Sequence, residues 1–380
     1  MVGIGKVEPV KVMLVDDSAV IRGLYRRMLA SETDIEIVSD AGNGQQAIDR
    51  LKKTPVHLIV LDIEMPVMDG LSAIPHLLKV QPDVMILMAS TLTARNAEFS
   101  LQAMNAGAAD YLEKPTSSNE LTTGVDFKTD LLRKIKMLGA TAQRNPSHAA
   151  NSTSSQPSPG VKPSEGKAGS GWKIAQSKDI QLRAPGITKP RVLAVGSSTG
   201  GPQALAAVFE KLPATLGIPV VVVQHMPPTF TRILAERIQG LSDWKCHEAE
   251  DGEALRSDTI LIAPGGYHMV LAKDGTNVVA KLNQDPAENF CRPAVDPLFR
   301  SVADIYGPAA MGVVLTGMGH DGRDGGRMIV DKGGTIYAQD EESSIVWGMP
   351  GAVAIAGICS KVIPLDNVAN EVTNYITRST

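Results

Sequence analysis

The chain has 380 residues, 43% of them hydrophobic, and a formal net charge of −4 at pH 7. That is enough for two or three domains with real cores, and it excludes the basic footprint that phosphate-backbone binding requires, so nucleic acid is not an expected partner. No apolar run reaches the roughly 18 residues of a membrane span, Met1 to Val10 lacks the apolar core of a signal peptide, and Cys246, Cys291 and Cys359 form neither a disulfide framework nor a zinc pattern, which together predict a cytoplasmic protein without membrane insertion.

Residues 11 to about 138 read as five strand-helix units. Strands are expected at Lys11 to Val15, Ile35 to Ser39, His57 to Leu61, Val84 to Ala89 and Ala109 to Leu112, with helical spacing between them; Val20, Leu24 and Met28 recur every fourth residue and share one helix face. Such alternation predicts a parallel, doubly wound sheet whose functional residues lie at the carboxyl ends of its strands. Asp16 and Asp17 end the first strand, Asp62 the third and Ser90 the fourth, and Lys114 follows the fifth. Three crowded carboxylates repel one another unless a divalent cation sits among them. Oxygen-only ligands favour Mg2+, which keeps waters and a phosphoryl oxygen, and serine and lysine suit the remaining phosphoryl oxygens. The other reading is a set of solvated loop charges in an unrelated flavodoxin-like domain.

The motifs V-D-D, L-D-I-E-M-P-x-M-D-G (Leu61 to Gly70), Ser90 and Y-L-E-K-P (Tyr111 to Pro115) resemble the response-regulator receiver domain. The resemblance implies phosphorylation of Asp62 by a partner histidine kinase. It also implies a metal site of Asp16, Asp17, Asp62 and the Glu64 backbone carbonyl, a Ser90/Tyr111 switch pair, and Lys114 on the phosphoryl group.

From about Arg144 to Gly186 the composition turns to Ser, Pro, Gly, Asn and Lys, with Trp172 and Ile174 as the only apparent docking points. A segment with so little to bury does not offset the entropy of ordering, which predicts a flexible linker. The expected division is a first domain over residues 1–138, a linker over 139–188 and a second domain over 189–380.

The second domain opens with R-V-L-A-V-G-S-S-T-G-G-P (Arg191 to Pro202), a buried strand that stops in small residues around Ser198. A P-loop needs Lys and Ser/Thr after its second glycine, where this chain has Pro202 and Gln203, and the order of glycines does not supply a dinucleotide fingerprint, which leaves an ordinary turn or a nucleophile lifted to a sheet edge. Further strands are expected at Pro219 to Gln224, Thr259 to Ala263, Ala309 to Leu315 and Gly334 to Tyr337, a second doubly wound sheet. Two strand-end loops stand out: Q-H-M-P-P with His225, and L-T-G-M-G-H-D-G with Asp321.

An alkyl alcohol needs a neighbouring base, and an imidazole in that role needs an acceptor that fixes its tautomer. Ser198, His225 and Asp321 supply these types at three strand ends. Backbone N–H groups of Gly317-Met318-Gly319 suit an oxyanion hole. Taken singly, His225 also reads as a buried structural histidine and Asp321 as a helix cap, while His320, adjoining Asp321, rivals His225 as base. His247 and His268 read as structural or surface residues.

Taken together, G-S-S-T-G-G, Q-H-M-P-P, E-A-E-D-G-E, I-A-P-G-G-Y-H-M and L-T-G-M-G-x-D-G resemble the chemotaxis methylesterases of the CheB family, in which a receiver precedes the catalytic domain. The resemblance implies Ser198 as nucleophile, His225 as base and Asp321 as acid, with Thr199 beside the nucleophile and the Met318 amide in the oxyanion hole. It departs at His320, where the family usually has Asn. It implies a flavodoxin-like receiver, a Rossmann-like three-layer esterase domain needing no cofactor, and hydrolysis of γ-glutamyl methyl esters on chemoreceptor helices, in many members with deamidation of receptor glutamines. Phosphorylation is expected to raise the rate by freeing the catalytic edge. The alternatives are a phosphorylation-gated receptor-binding module without turnover and, more remotely, a regulator acting on DNA, for which no basic helix-turn-helix appears.

Overall fold

The structure is a computed structural model that describes residues 8–91, 93–114, 125–144 and 180–378. Most of the expected linker, including Trp172 and Ile174, and the Pro115 end of the receiver motif lie outside the described residues.

The first domain is a parallel sheet of β1 (Val10–Val15), β2 (Ile35–Ala41), β3 (Leu58–Asp62), β4 (Met85–Thr91) and β5 (Asp110–Lys114) in the order β2-β1-β3-β4-β5. Its helices are α1 (Ala19–Leu29), α2 (Gly44–Leu51), α3 (Gly70–Val80), α4 (Ala94–Asn105) and α5 (Val125–Arg144). Alternate strand residues feed opposite faces: Met13, Ile59 and Met88 pack with α2, α3 and α4, whereas Leu14, Val60 and Leu87 pack with Tyr25 of α1 and Leu131 and Ile135 of α5. The inner strands β1, β3 and β4 are covered on both sides, which is why they read as largely apolar runs, whereas edge strand β2 buries only Ile35 and Ala41. The α1 helix differs from expectation in its phase. Tyr25 and Leu29 are its buried residues, while Val20 is exposed. A four-residue spacing also fits the neighbouring stripe Ile21, Tyr25 and Leu29, and the large Tyr25 ring takes the core position.

The second domain has a seven-stranded parallel sheet in the order β14-β13-β12-β6-β7-β9-β8. Its strands are β6 (Val192–Ser197), β7 (Val220–Gln224), β8 (Lys245–Glu248), β9 (Thr259–Ile262), β12 (Ala310–Val314), β13 (Thr335–Gln339) and β14 (Lys361–Ile363). On one face lie α6 (Gly201–Lys211), α7 (Phe230–Leu241) and α11 (Leu365–Thr377); on the other lie α8 (Val295–Tyr306), α9 (Arg323–Asp331) and α10 (Met349–Ile355). This three-layer arrangement is the expected doubly wound class. It also holds elements the sequence reading lacked: β8, β14, and an antiparallel hairpin of β10 (His268–Asp274) and β11 (Asn277–Asn283) turning at Gly275.

The first sheet reverses its strand order between β1 and β3; the second does so between β6 and β12, and again at its edge, where β9 inserts between β7 and β8. Crevices outside the carboxyl ends of strands at such reversals are where α/β sheets bind ligands. The two domains also touch. Helix α4 packs against α6 and α7, so that one apolar cluster runs from Met104 and Ala108 to Leu205 and Phe230. Across a second patch, Met318 and Val346 join Leu112, Leu131 and Ile135.

Candidate functional site

At the first reversal, Asp16 and Asp17 follow β1 and Asp62 ends β3, and one carboxylate oxygen from each lies within 4.8 Å of the others. Lys114, the last residue of β5, donates to Asp16 Oδ2 at 2.7 Å and to Asp62 Oδ1 at 2.6 Å. The Asp62 carboxyl is raised from its ordinary value: burial is the largest cause, and Asp16 adds to it against the pull of Lys114. Three carboxylates facing one cationic group leave negative charge uncompensated, and an all-oxygen donor set matches Mg2+. The Glu64 residue is exposed in the loop just beyond Asp62. Ser90 is buried with its hydroxyl 3.2 Å from Ser100 Oγ. Tyr111 is also buried, its ring stacked on Phe230 of the second domain at 4.6 Å between centroids.

At the β6/β12 reversal, Ser198 follows β6, His225 follows β7 and Asp321 lies beyond β12. The serine backbone is clamped: its N–H donates to Thr316 O at 3.0 Å, and its carbonyl accepts from Gly201 N at 2.7 Å and Gln224 Nε2 at 2.9 Å. Two glycines are required by this packing. A Cβ on Gly201 would fall 1.8 Å from Gln224 Oε1, and one on Gly317 would fall 2.8 Å from Ser198 Cβ.

Asp321 is 1% exposed. Its Oδ2 accepts from His225 Nε2 at 2.7 Å and from the Val295 N–H at 2.6 Å. Its Oδ1 accepts from the N–H groups of Asp296 and Gly322, both at 3.0 Å, and from Asn289 Nδ2 at 2.9 Å. Val295 and Asp296 open α8, so the carboxylate also faces the positive end of a helix dipole. Burial alone would raise this carboxyl; the His225 hydrogen bond and the backbone donors overcome it and hold it down at about 2. Neighbouring Asp296 is pushed up to about 7, first by burial and then by the Asp321 charge.

Because a carboxylate only accepts, Nε2 of His225 carries the proton and Nδ1 is left as the acceptor. Nδ1 faces Cys291 Sγ at 3.4 Å. Burial would lower the imidazole, but the Cys291 and Asp321 charges reverse this and raise it. No hydrogen bond joins the Ser198 hydroxyl to His225, although both line one cavity of about 620 Å³ together with Thr199 and Cys291. His320 is half-buried and its Nδ1 is unpartnered; His225 is the histidine that meets Asp321.

The cavity lies between the domains, and Tyr111, Arg133 and Lys134 of the first line it too. Thr199 Oγ1 donates to Asp110 Oδ2 at 2.6 Å, an oxygen that also accepts from Lys134 at 3.1 Å. Gln203 of α6 donates to the carbonyls of Met104 and Ala108. The Met318 side chain is buried in the shared apolar cluster, and its N–H makes no hydrogen bond among the described residues. Sequence reasoning missed Asn289, Cys291, Asp296 and Asp110 in this constellation. The first three come from a segment without glycine-rich or histidine signals, and Asp110 belongs to the other domain. A left-handed backbone at Asn289 and Phe290 (φ 53° and 63°) aims Asn289 at both buried carboxylates and leaves Phe290 98% exposed at the rim.

The molecule is thus a receiver domain joined to a doubly wound domain that gathers an alcohol, an imidazole and a carboxylate at its central strand-order reversal. Its residues 193–372 match the CheB methylesterase family and residues 12–126 match the response regulator receiver domain. The chain is 49% identical over 363 residues to protein-glutamate methylesterase/protein-glutamine glutaminase 1 of Paramagnetospirillum magneticum, covering 95% of each chain. It is likewise 49% identical over 376 residues to the protein of the same name from Rhodospirillum rubrum, covering 98% of this chain and 95% of that one. The solved catalytic domain of Thermotoga maritima CheB methylesterase is 38% identical and covers 49% of this chain and 99% of that one, with a TM-score of 0.48. The chain belongs to the CheB methylesterase family. Among its described residues, no helix is long and apolar enough to cross a membrane.

Proposed function

We propose that the chain is a cytoplasmic serine hydrolase, activated by phosphorylation, that removes methyl groups from glutamate methyl esters on chemoreceptor helices and so resets chemotactic adaptation. The observation that carries this reading is the 2.7 Å His225 Nε2 to Asp321 Oδ2 contact beside Ser198 in one cavity. Deamidation of receptor glutamines follows the same acyl chemistry and matches the second half of the relatives' name.

In this mechanism the Ser198 hydroxyl takes the place of the Cys291 thiol at His225 Nδ1. Its oxygen attacks the ester carbonyl as its proton passes to Nδ1, and Asp321 stabilises the resulting imidazolium. The unpaired Met318 N–H is the candidate donor to the oxyanion. Methanol leaves with the proton held on His225. Water, deprotonated by the same nitrogen, then attacks the acyl-serine, freeing the glutamate side chain and restoring Ser198.

Asp16, Asp17, Asp62 and the Glu64 carbonyl are the ligands proposed for Mg2+, which when bound offsets the charge of a phosphoryl group delivered to Asp62 by a histidine kinase. Lys114 holds the phosphoryl oxygens, and the Ser90 and Tyr111 pair responds. Tyr111 stacks on Phe230 and its neighbour Asp110 holds Thr199, so a rearranged β5 edge loosens the domain contact over the cavity. A bias of about 1 to 3 kcal/mol on that contact is sufficient for regulation. We also propose the division of the chain into a receiver, a linker and a catalytic domain, with the expected bounds 1–138, 139–188 and 189–380 adjusted at both ends of the linker: α5 carries the receiver on to Arg144, and Arg183 and Gly186 hydrogen-bond to Cys359 and Thr335 of the catalytic domain.

Methanol release from a methylated receptor fragment, with and without a small-molecule phosphodonor and Mg2+, tests this reading. The Ser198→Ala chain should release none while still binding the fragment. A wild-type chain that binds the fragment but releases no methanol under either condition would establish the non-catalytic binding module instead.

A further inference from the structure

The three cysteines occupy different surroundings. Cys246 and Cys359 are buried, and burial pushes each thiol up to about 12. Cys291 is half-buried in the wall of the active-site cavity, its Sγ 3.4 Å from His225 Nδ1, and His225 is in turn fastened to Asp321. Cysteine, imidazole and carboxylate thus form a second chain of contacts through the same histidine, one the ester chemistry does not use. Burial would raise the Cys291 thiol, but the imidazolium charge of His225 and its hydrogen bond bring it below its ordinary value. Arg133 of the receiver adds positive charge on the same side. Thiolates, not thiols, are the nucleophiles of cysteine chemistry, so this site combines access, a counter-charge and an electrophile-sized cavity.

We propose that Cys291 is a reactive thiol which small electrophiles, hydroperoxides foremost, modify covalently inside the active-site cavity, and that the modified side chain disables His225. With hydrogen peroxide, Cys291 passes its thiol proton to His225 Nδ1, the thiolate Sγ attacks one peroxide oxygen and the O–O bond breaks. The leaving hydroxide takes the His225 proton and departs as water. The sulfur is oxidised by two electrons to the sulfenic acid and the peroxide is reduced. The added oxygen occupies the space in front of Nδ1, where the Ser198 hydroxyl has to sit. Cys246 and Cys359 lie in the packed cores, and neither contacts Cys291. The product therefore has no partner in the same chain for a disulfide, and an external thiol must reverse it.

The test uses the full chain. Iodoacetamide labelling at neutral pH, followed by peptide mass spectrometry, should modify Cys291 at least about tenfold faster than Cys246 or Cys359. In the His225→Gln chain that advantage should shrink severalfold, because the counter-charge is gone. With hydrogen peroxide, a 1,3-dione trap should mark the Cys291 peptide alone. These readouts stand whether or not the chain is an esterase. The inhibition rests on that reading: methanol release should fall in step with Cys291 modification and recover with dithiothreitol. Normalised to its own untreated rate, the Cys291→Ser chain should resist peroxide. Labelling of Cys291 no faster than that of the two buried thiols would overturn the proposal, as would full modification with undiminished methanol release. A folded, untreated chain that releases no methanol would count against the esterase reading and leave the labelling result to decide the thiol.

Discussion

Replacing Asp321 by asparagine perturbs the base without removing a heavy atom. Five donors converge on this carboxylate: His225 Nε2 at 2.7 Å and Val295 N–H at 2.6 Å on one oxygen, and the N–H groups of Asp296 and Gly322 with Asn289 Nδ2 on the other. An amide offers one accepting oxygen and two protons, so donors face donors on one side whichever way it turns. With its oxygen on the three-donor side, its NH2 meets His225 and makes Nε2 the acceptor. The imidazole proton then moves to Nδ1, the nitrogen that has to receive the serine proton. A wrong tautomer of this kind costs about four orders of magnitude in kcat in the serine proteases, or about 5.5 kcal/mol of transition-state stabilisation at 1.36 kcal/mol per tenfold. Initial rates of methanol release from a methylated receptor fragment, with folding checked by circular dichroism, measure it. A folded Asp321→Asn chain that kept more than about a tenth of wild-type turnover would refute the roles assigned to His225 and Asp321.

Three further outcomes follow from the same geometry. Asp296, pushed up to about 7, holds its proton in the folded chain while the unfolded chain has already released it. This group therefore makes stability fall as pH rises from about 4 to about 7 and level off above, and Asp296→Asn should flatten that slope in thermal unfolding followed across pH 4 to 8. Asp321, held at about 2, acts in the opposite sense and only below about pH 4. Gly201→Ala puts a Cβ 1.8 Å from Gln224 Oε1 and should cost about 1 to 3 kcal/mol of stability by denaturant unfolding; it should also depress turnover, because Gln224 holds the Ser198 carbonyl. A chain lacking residues 1–188 should hydrolyse the ester about 5- to 150-fold faster than the unphosphorylated full chain; equal rates would eliminate inhibition by the receiver.

The central strands were legible because both faces of each are covered, so residues 12–15 of β1 and 220–223 of β7 read as unbroken apolar runs. Edge strands were not. In β8, K-C-H-E buries only Cys246 and carries no such run, and β14 is three residues long. The hairpin β10–β11 alternates in the manner of a half-covered antiparallel pair, a pattern outside the parallel scheme the rest of the chain suggested. Ser198, His225 and Asp321 stand out in the chain because abrupt glycine- or proline-rich turns follow apolar strands there. Cys291, Asn289 and Asp296 carry no such punctuation. They reach the site because α8 begins beneath Asp321, and that placement is tertiary. The phase of α1 was unreadable for a simpler reason: two adjacent stripes, one through Val20 and one through Ile21, satisfy the same spacing, and only the bulk of Tyr25 decides between them.

Asp110 and Tyr111 are consecutive residues of β5, and each engages the catalytic domain in its own way, one through a hydroxyl and the other through an aromatic face. Neighbours on a strand project to opposite sides of it, so the strand grips its partner like a two-tined fork. A fork cannot slide off one tine at a time. Any displacement of that strand is felt at Thr199 and Phe230 together.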